Sequence, residues 1–219
     1  MKYQLHAGLD PTKDQSYFLY TLKKDQLAKV LFPIGDFKKS KVRKLAKKLG
    51  LPTADKPDSQ GICFVGPVDV NSLLRNKIKT KSGKVVDLDG NVLGKHDGLA
   101  FYTMGQREGI GISKTIPHYV VEKRFDTNQL VLAPIGSKEL FKDSLEASRV
   151  SWVADKPKIG KKIKVRIRYR QPLVDATIQA NEEDKVKVQF ADGQKAVTPG
   201  QSIVFYQDDE VLGGAIIES

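Results

Sequence analysis

Cys63 is the single thiol in 219 residues, and it stands in Asp58-Ser59-Gln60-Gly61-Ile62-Cys63-Phe64, a short polar turn that opens into an apolar residue. One thiol cannot form a disulfide within its own chain, so it is either a small inert hydrophobe in a core or a reactive sulfur held at a turn. Free cysteine is among the most buried residue types, which favours the first. Gly61 permits close backbone approach, Asp58 and Ser59 form caps or turns, and Lys56 would favour the thiolate, which favours the second. On spacing alone the two readings stand level.

The other chemistry in the chain is positive charge. Lysine and arginine number 37 against 26 acidic residues, a formal charge of +11, and a clustered excess of that size points to a polyanionic partner. One cluster is Lys38, Lys39, Lys41, Arg43, Lys44, Lys47 and Lys48; another is Lys161, Lys162, Lys164, Arg166, Arg168 and Arg170. Across residues 162–170 the sequence alternates strictly, so Ile163, Val165, Ile167 and Tyr169 are expected on one face of a strand and five cations on the other. Same-face neighbours would stand roughly 6.6 Å apart, a ladder of charge. His6, His96 and His118 are far apart and lack acidic or thiol companions at ligand spacing, so no metal site is expected.

The elements that must hold these groups change along the chain. Residues 1–65 read as helical: bunched apolar and aromatic residues over 14–22, a second pattern over 25–32 ended by Pro33, and a third helix capped by Ser40. The inner stripe of that third helix is Val42, Leu45, Ala46 and Leu49, with Gly50 and Pro52 as its stop. Residues 66–142 read as β-rich. Lys84 to Gly94 predicts a hairpin around Asp89-Gly90, and 118–123 and 130–133 predict strands. The glycine-punctuated segment 101–112 lacks the G-x-G-x-x-G order of a nucleotide fingerprint and reads as a turn-rich β loop. After a linker near 134–143, strands are predicted at 162–170, 174–180, 185–190, 202–206 and 211–217, the spacing of a small closed barrel or sandwich. The fold class is α+β in three parts, 1–65, 66–142 and 143–219. No apolar run is long enough for a membrane span and no secretory signal opens the chain, so with its single thiol it is expected in the cytoplasm.

In order along the sequence, Lys13-Asp14-Gln15-Ser16-Tyr17-Phe18-Leu19-Tyr20, Val42-Arg43-Lys44-Leu45-Ala46 through Leu49-Gly50-Leu51, Gly61-Ile62-Cys63-Phe64, Gly105-Gln106-Arg107, Arg168-Tyr169-Arg170-Gln171 and Thr198-Pro199-Gly200-Gln201 resemble the tRNA-specific 2-thiouridylase family. Single members are widespread, since the helix at 42–51 is similar to that of many ATP-pyrophosphatase enzymes; the ordered set is specific. The resemblance implies an enzyme that replaces the 2-oxygen of the wobble uridine with sulfur in tRNAs for lysine, glutamate and glutamine. It implies activation by ATP with Mg, and a cysteine persulfide loaded by a sulfur carrier or cysteine desulfurase. Cys63 matches the persulfide cysteine. Lys13, Asp14 and Gln15 match a tRNA-contacting segment near the target base, and Arg168, Tyr169 and Gln201 match barrel residues that contact tRNA.

The residue types suit those roles. Sulfur is a soft nucleophile for an activated carbonyl carbon, Gln15 offers a donor and an acceptor to a base edge, Tyr169 can stack, and Arg168 can pair with phosphate. The family's Ser-Gly-Gly-x-Asp-Ser phosphate loop and first catalytic cysteine do not occur in these 219 residues. The expectation is therefore the C-terminal part of such an enzyme, residues 1–65 being the helical end of its ATP-pyrophosphatase domain, with the ATP site elsewhere. Alone it is expected to bind tRNA and be inactive. The alternative is a non-catalytic RNA-binding β-barrel protein with a passive cysteine.

Overall fold

A computed structural model of the chain describes residues 3–57, 75, 77–112 and 115–218. They fall into two compact units, residues 58–142 and residues 1–57 with 143–219.

In the unit of residues 58–142, β1 (Gly83–Val86), β2 (Val92–His96), β3 (His118–Arg124) and β4 (Gln129–Pro134) form a sheet in the order β2-β1-β4-β3. The expected hairpin joins β1 to β2. The Asp87 carboxylate accepts the N–H groups of Asp89 and Asn91 at 3.1 and 2.8 Å, while Gly90 takes φ +87°, open to glycine without strain. β4 runs parallel to β1 and antiparallel to β3, and its Leu130, Val131, Leu132 and Ala133 are all buried, the continuous apolar pattern of a strand covered on both faces. The glycine-rich segment 101–112 is a loop, as expected. Gln106 closes it on itself, accepting from the Thr103 N–H at 2.9 Å and donating to the Glu108 carbonyl at 2.8 Å.

In the other unit, β5 (Phe141–Trp152), β6 (Lys162–Arg166), β7 (Val174–Asn181), β8 (Lys185–Lys195), β9 (Ser202–Gln207) and β10 (Glu210–Ile217) close into a barrel in the order β10-β5-β8-β7-β6-β9. Period-two alternation fills it: Ile163 and Val165, Ala176 and Ile178, Val186, Val188 and Phe190, and Ile203 and Phe205 make one core. Two expectations change. β5 matches no expected strand, because Arg149 at φ +53° and a register slip opposite β10 break its alternation between Leu145, Ala147 and Val150, Trp152. β6 is also short. It ends at Arg166, and the chain turns through 167–170, where Arg170 has φ +64°.

The N-terminal stretch is less helical than its composition suggests. It holds a 3-10 turn at Ser16–Phe18, the single turn α1 (Lys24–Leu27) and α2 (Lys39–Lys48). The expected helix over 14–22 is replaced because the Asp14 carboxylate takes the Ser16 N–H and hydroxyl, a local bond that competes with the helical ladder. The expected helix over 25–32 stops at Leu27. Leu31 is 89% exposed and Phe32 47%, so no packed face repays its extension. α2 forms where expected, with Gly50 at φ +63° beyond its end, but Ser40 does not cap it: the N-cap is Lys38 and Ser40 lies inside the first turn. None of its residues is buried and Leu49 is 70% exposed. Of its apolar stripe Val42 and Ala46 are only partly buried, while Leu45 and Leu49 are exposed. What anchors the stretch is Leu5, Tyr17, Tyr20 and Leu27 against Val153, Val204, Tyr206 and Val211 on the outside of the barrel.

Candidate nucleic-acid interface

The outer surface of β6 and β9 places an arginine under the N-terminal stretch. Arg166 donates from Nη1 to Asp14 Oδ2 at 2.9 Å, with side chains only 9% and 3% exposed. Asp14 also accepts the N–H of Gly8 at 3.1 Å, the N–H of Ser16 at 2.9 Å and the Ser16 hydroxyl at 2.9 Å. The Arg166 guanidinium lies 5.4 Å from the centre of the Tyr206 ring, and the Tyr206 hydroxyl is 3.2 Å from Ser16 Oγ. Burial pushes the Asp14 carboxyl up, but the Ser16 and Gly8 N–H groups, the Ser16 hydroxyl and Arg166 outweigh it and hold its pKa below the usual aspartate value. Asp14 is thus an ionised, fully occupied carboxylate inside the protein.

The 3-10 turn that follows carries the exposed groups. Gln15 donates from Nε2 to the Tyr169 hydroxyl. Phe18, 54% exposed, lies 4.8 Å from the Tyr169 ring at 48°, and the Arg170 guanidinium sits 5.1 Å from that ring's centre. Tyr17 ties the turn to β9 by donating to the Ser202 carbonyl at 2.8 Å. Burial pushes its phenol up to about 12, so it stays a neutral donor. Tyr20 adds a hydroxyl contact of 3.1 Å with Ser202 Oγ. Arg168 donates from Nη2 to the Ala196 carbonyl at 2.9 Å and to Thr198 Oγ1 at 3.1 Å. Thr198 starts the turn whose last residue, the exposed Gln201, bonds back through its N–H to the Thr198 carbonyl at 3.2 Å. Lys13, Asp14 and Gln15 help line a cavity of about 310 Å³ with Leu19, Phe32 and Phe37.

Segments 13–18, 168–170 and 198–202, far apart in sequence, therefore meet at one end of the barrel. Cys63 lies outside the described residues. The charge ladder expected over 162–170 is not a ladder: Arg166 is buried, Lys164 pairs with Asp175 at 3.0 Å, Arg168 holds the 196–198 turn, and Arg170 covers Tyr169. Sequence reasoning also missed Ser16 as a partner of Asp14 and Tyr206 as the residue that touches Ser16 and Arg166. A signal was present, because Ile203-Val204-Phe205-Tyr206 is a continuous apolar run, and a barrel strand buried on both faces needs a cover outside.

Nothing among the described residues fits ATP. The glycine-punctuated loop leads from strand to strand and its Gln106 is bonded within it. The start of α2 is already taken by an anion, Asp10 Oδ2 accepting the Lys39 N–H at 2.9 Å. That bond, with the Thr12 hydroxyl, holds the Asp10 pKa below its ordinary value. No group of three or more metal-binding side chains occurs among the described residues, and no described helix is long and apolar enough to cross a membrane.

Three family models match in succession: the tRNA methyl transferase HUP domain over residues 1–67, the tRNA methyl transferase PRC-barrel domain over 71–134, and the aminomethyltransferase beta-barrel domain over 142–217. Curated relatives carry a different reaction in their name. The tRNA-specific 2-thiouridylase MnmA of Buchnera aphidicola subsp. Schizaphis graminum is 46% identical over 226 residues, covering 100% of this chain and 61% of the relative. Those of a Marinomonas species and of Shigella flexneri are 45% and 44% identical, covering 97% and 99% of this chain and 56% and 61% of the relatives. The chain thus spans about 61% of the length of the first of these relatives. Because these relatives align across the whole chain under one name while each domain model covers a third of it, the relatives decide the assignment, and the chain belongs to the tRNA-specific 2-thiouridylase family.

Proposed function

We propose that this chain is the tRNA-gripping and sulfur-carrying part of a 2-thiouridylase. In this reading Gln15 and Tyr169 meet an unstacked base, while Lys13, Arg168 and the turn ending at Gln201 track the RNA backbone. Cys63 carries the sulfur as a persulfide, loaded by a sulfur carrier or a cysteine desulfurase. The RNA is the anticodon arm of tRNAs for lysine, glutamate and glutamine. ATP activation belongs to protein outside these residues. The observation that supports the reading is the meeting of segments 13–18, 168–170 and 198–202 at one end of the barrel, with amide, aromatic and guanidinium groups side by side.

The test is a titration of the chain with tRNA across salt concentrations. Binding should weaken steeply as salt rises, and Arg168→Ala should weaken it further and flatten the slope. Neither ATP hydrolysis nor thiouridine should form with this chain alone. Binding that ignores both salt and Arg168→Ala would remove the RNA assignment. For Cys63, alkylation near neutral pH faster than a free model thiol supports sulfur transfer, whereas resistance until unfolding supports the passive alternative.

A further inference from the structure

We infer that Asp14, together with Arg166, acts on tRNA binding as a positioning residue and does not touch the RNA. The proposal rests on the RNA-facing platform of Gln15 and Tyr169 put forward above. Asp14 sits one residue before Gln15, where a contact to the base or backbone would be expected of it. Its oxygens are instead spent on four donors, Gly8 N–H, Ser16 N–H, Ser16 Oγ and Arg166 Nη1, and its side chain is 3% exposed. An anion so placed also has no use for phosphate, which it would repel.

The pair joins two segments 152 positions apart in sequence. On one side Asp14 fixes the 3-10 turn that presents Gln15 and Phe18; on the other, Arg166 is the last residue of β6, just before the turn that presents Arg168, Tyr169 and Arg170. Tyr206 closes the arrangement, touching Arg166 with its ring and Ser16 with its hydroxyl. Locking both sides in advance removes ordering entropy that tRNA binding would otherwise have to meet. Among the described residues Arg166 Nε has no hydrogen-bond partner, and the Nη1 bond to Asp14 with the Tyr206 ring beside it sets the orientation of the guanidinium.

The experiment is a double-mutant cycle read by tRNA affinity. Asp14→Asn should weaken binding about tenfold, the scale of one misplaced hydrogen-bonding group, with an unchanged salt slope because no phosphate contact is lost. In a Gln15→Ala background the same substitution should add nothing. Because half-removing a buried pair leaves an uncompensated charge, Asp14→Asn/Arg166→Met removes both charges together. This variant should melt cooperatively, bind about tenfold more weakly, and lose the nuclear Overhauser contact between the Phe18 and Tyr169 rings. Additive losses from Asp14→Asn and Gln15→Ala, or a ring contact that survives in the double variant, overturn the proposal while leaving the platform standing. Unchanged binding in both Gln15→Ala and Tyr169→Phe overturns the platform and the proposal together.

Discussion

The barrel and the N-terminal stretch that lies on it solve burial in opposite ways. Every barrel strand hands its inward apolar face to its neighbours, so Ile203 and Phe205 are fully buried within the barrel itself. The stretch of residues 3–57 buries only what reaches the barrel. Leu5, Tyr17, Tyr20 and Leu27 are covered, whereas Leu31, Ile34 and Leu49 are more than half exposed. The barrel's order is its own, and that of the stretch is borrowed through a few anchors. The proposed RNA-facing groups sit where lender and borrower meet.

The sharpest way to break that contrast is inside the barrel. Phe205 is fully buried and stacks 5.2 Å from Trp152. Phe205→Ala should cost about 3–5 kcal/mol in denaturant unfolding, and a loss below 1 kcal/mol would mean the barrel is not the stable body. Next comes the seam. Asp14→Asn leaves Arg166 buried without its anion and should cost about 2–4 kcal/mol. It should also change the acid limb. The folded Asp14 pKa is lowered, so on acidification the unfolded chain binds the proton first, near about pH 4. The stabilisation is complete above that pH and drains away as pH falls through the lower folded pKa. Urea midpoints measured from neutral pH down to acid should therefore fall less steeply in the variant than in the parent.

Gly214 probes the seam by volume. A methyl group there would stand 2.6 Å from the Tyr20 ring and 2.7 Å from the Ile203 carbonyl. Gly214→Ala should cost about 1–3 kcal/mol and loosen the stretch before the barrel, which hydrogen exchange at Tyr17 to Tyr20 would register first. The smallest effect belongs to the borrower's free end, where Leu31→Ser should change stability by no more than about 0.5 kcal/mol. A larger loss would show that solution covers what the structure leaves open.

The sequence made the barrel legible because period-two alternation is strongest where one face is buried, as in Ile163-Lys164-Val165. The hairpin was legible through Asp89-Gly90. β5 was not, since a bulge at Arg149 shifts its inward residues by one. The helices expected over 14–32 were misjudged for a related reason: apolar bunching reports that residues will be buried, and Tyr17 and Tyr20 are, but not by a helix partner. Arg166 was placed among solvated cations because alternation assigns faces without saying whether the outer face of a strand is open. Lys13, Gln15, Arg168, Tyr169 and Gln201 were named from resemblance, and spacing alone gave no hint that Gln15 and Tyr169 touch.

The bonds of Leu5 to Val211 in β10 and of Ala7 to Asp209 just before it set a timetable for synthesis. During synthesis Leu5 and Ala7 cannot find these partners until roughly 200 further residues have been added, a wait on the order of 10–40 s at ordinary translation speeds. Throughout that interval Tyr17 and Tyr20 lack the surface of Val204, Tyr206 and Val211 on which they rest, so synthesis stalled before β9 would leave the stretch with nothing to borrow from.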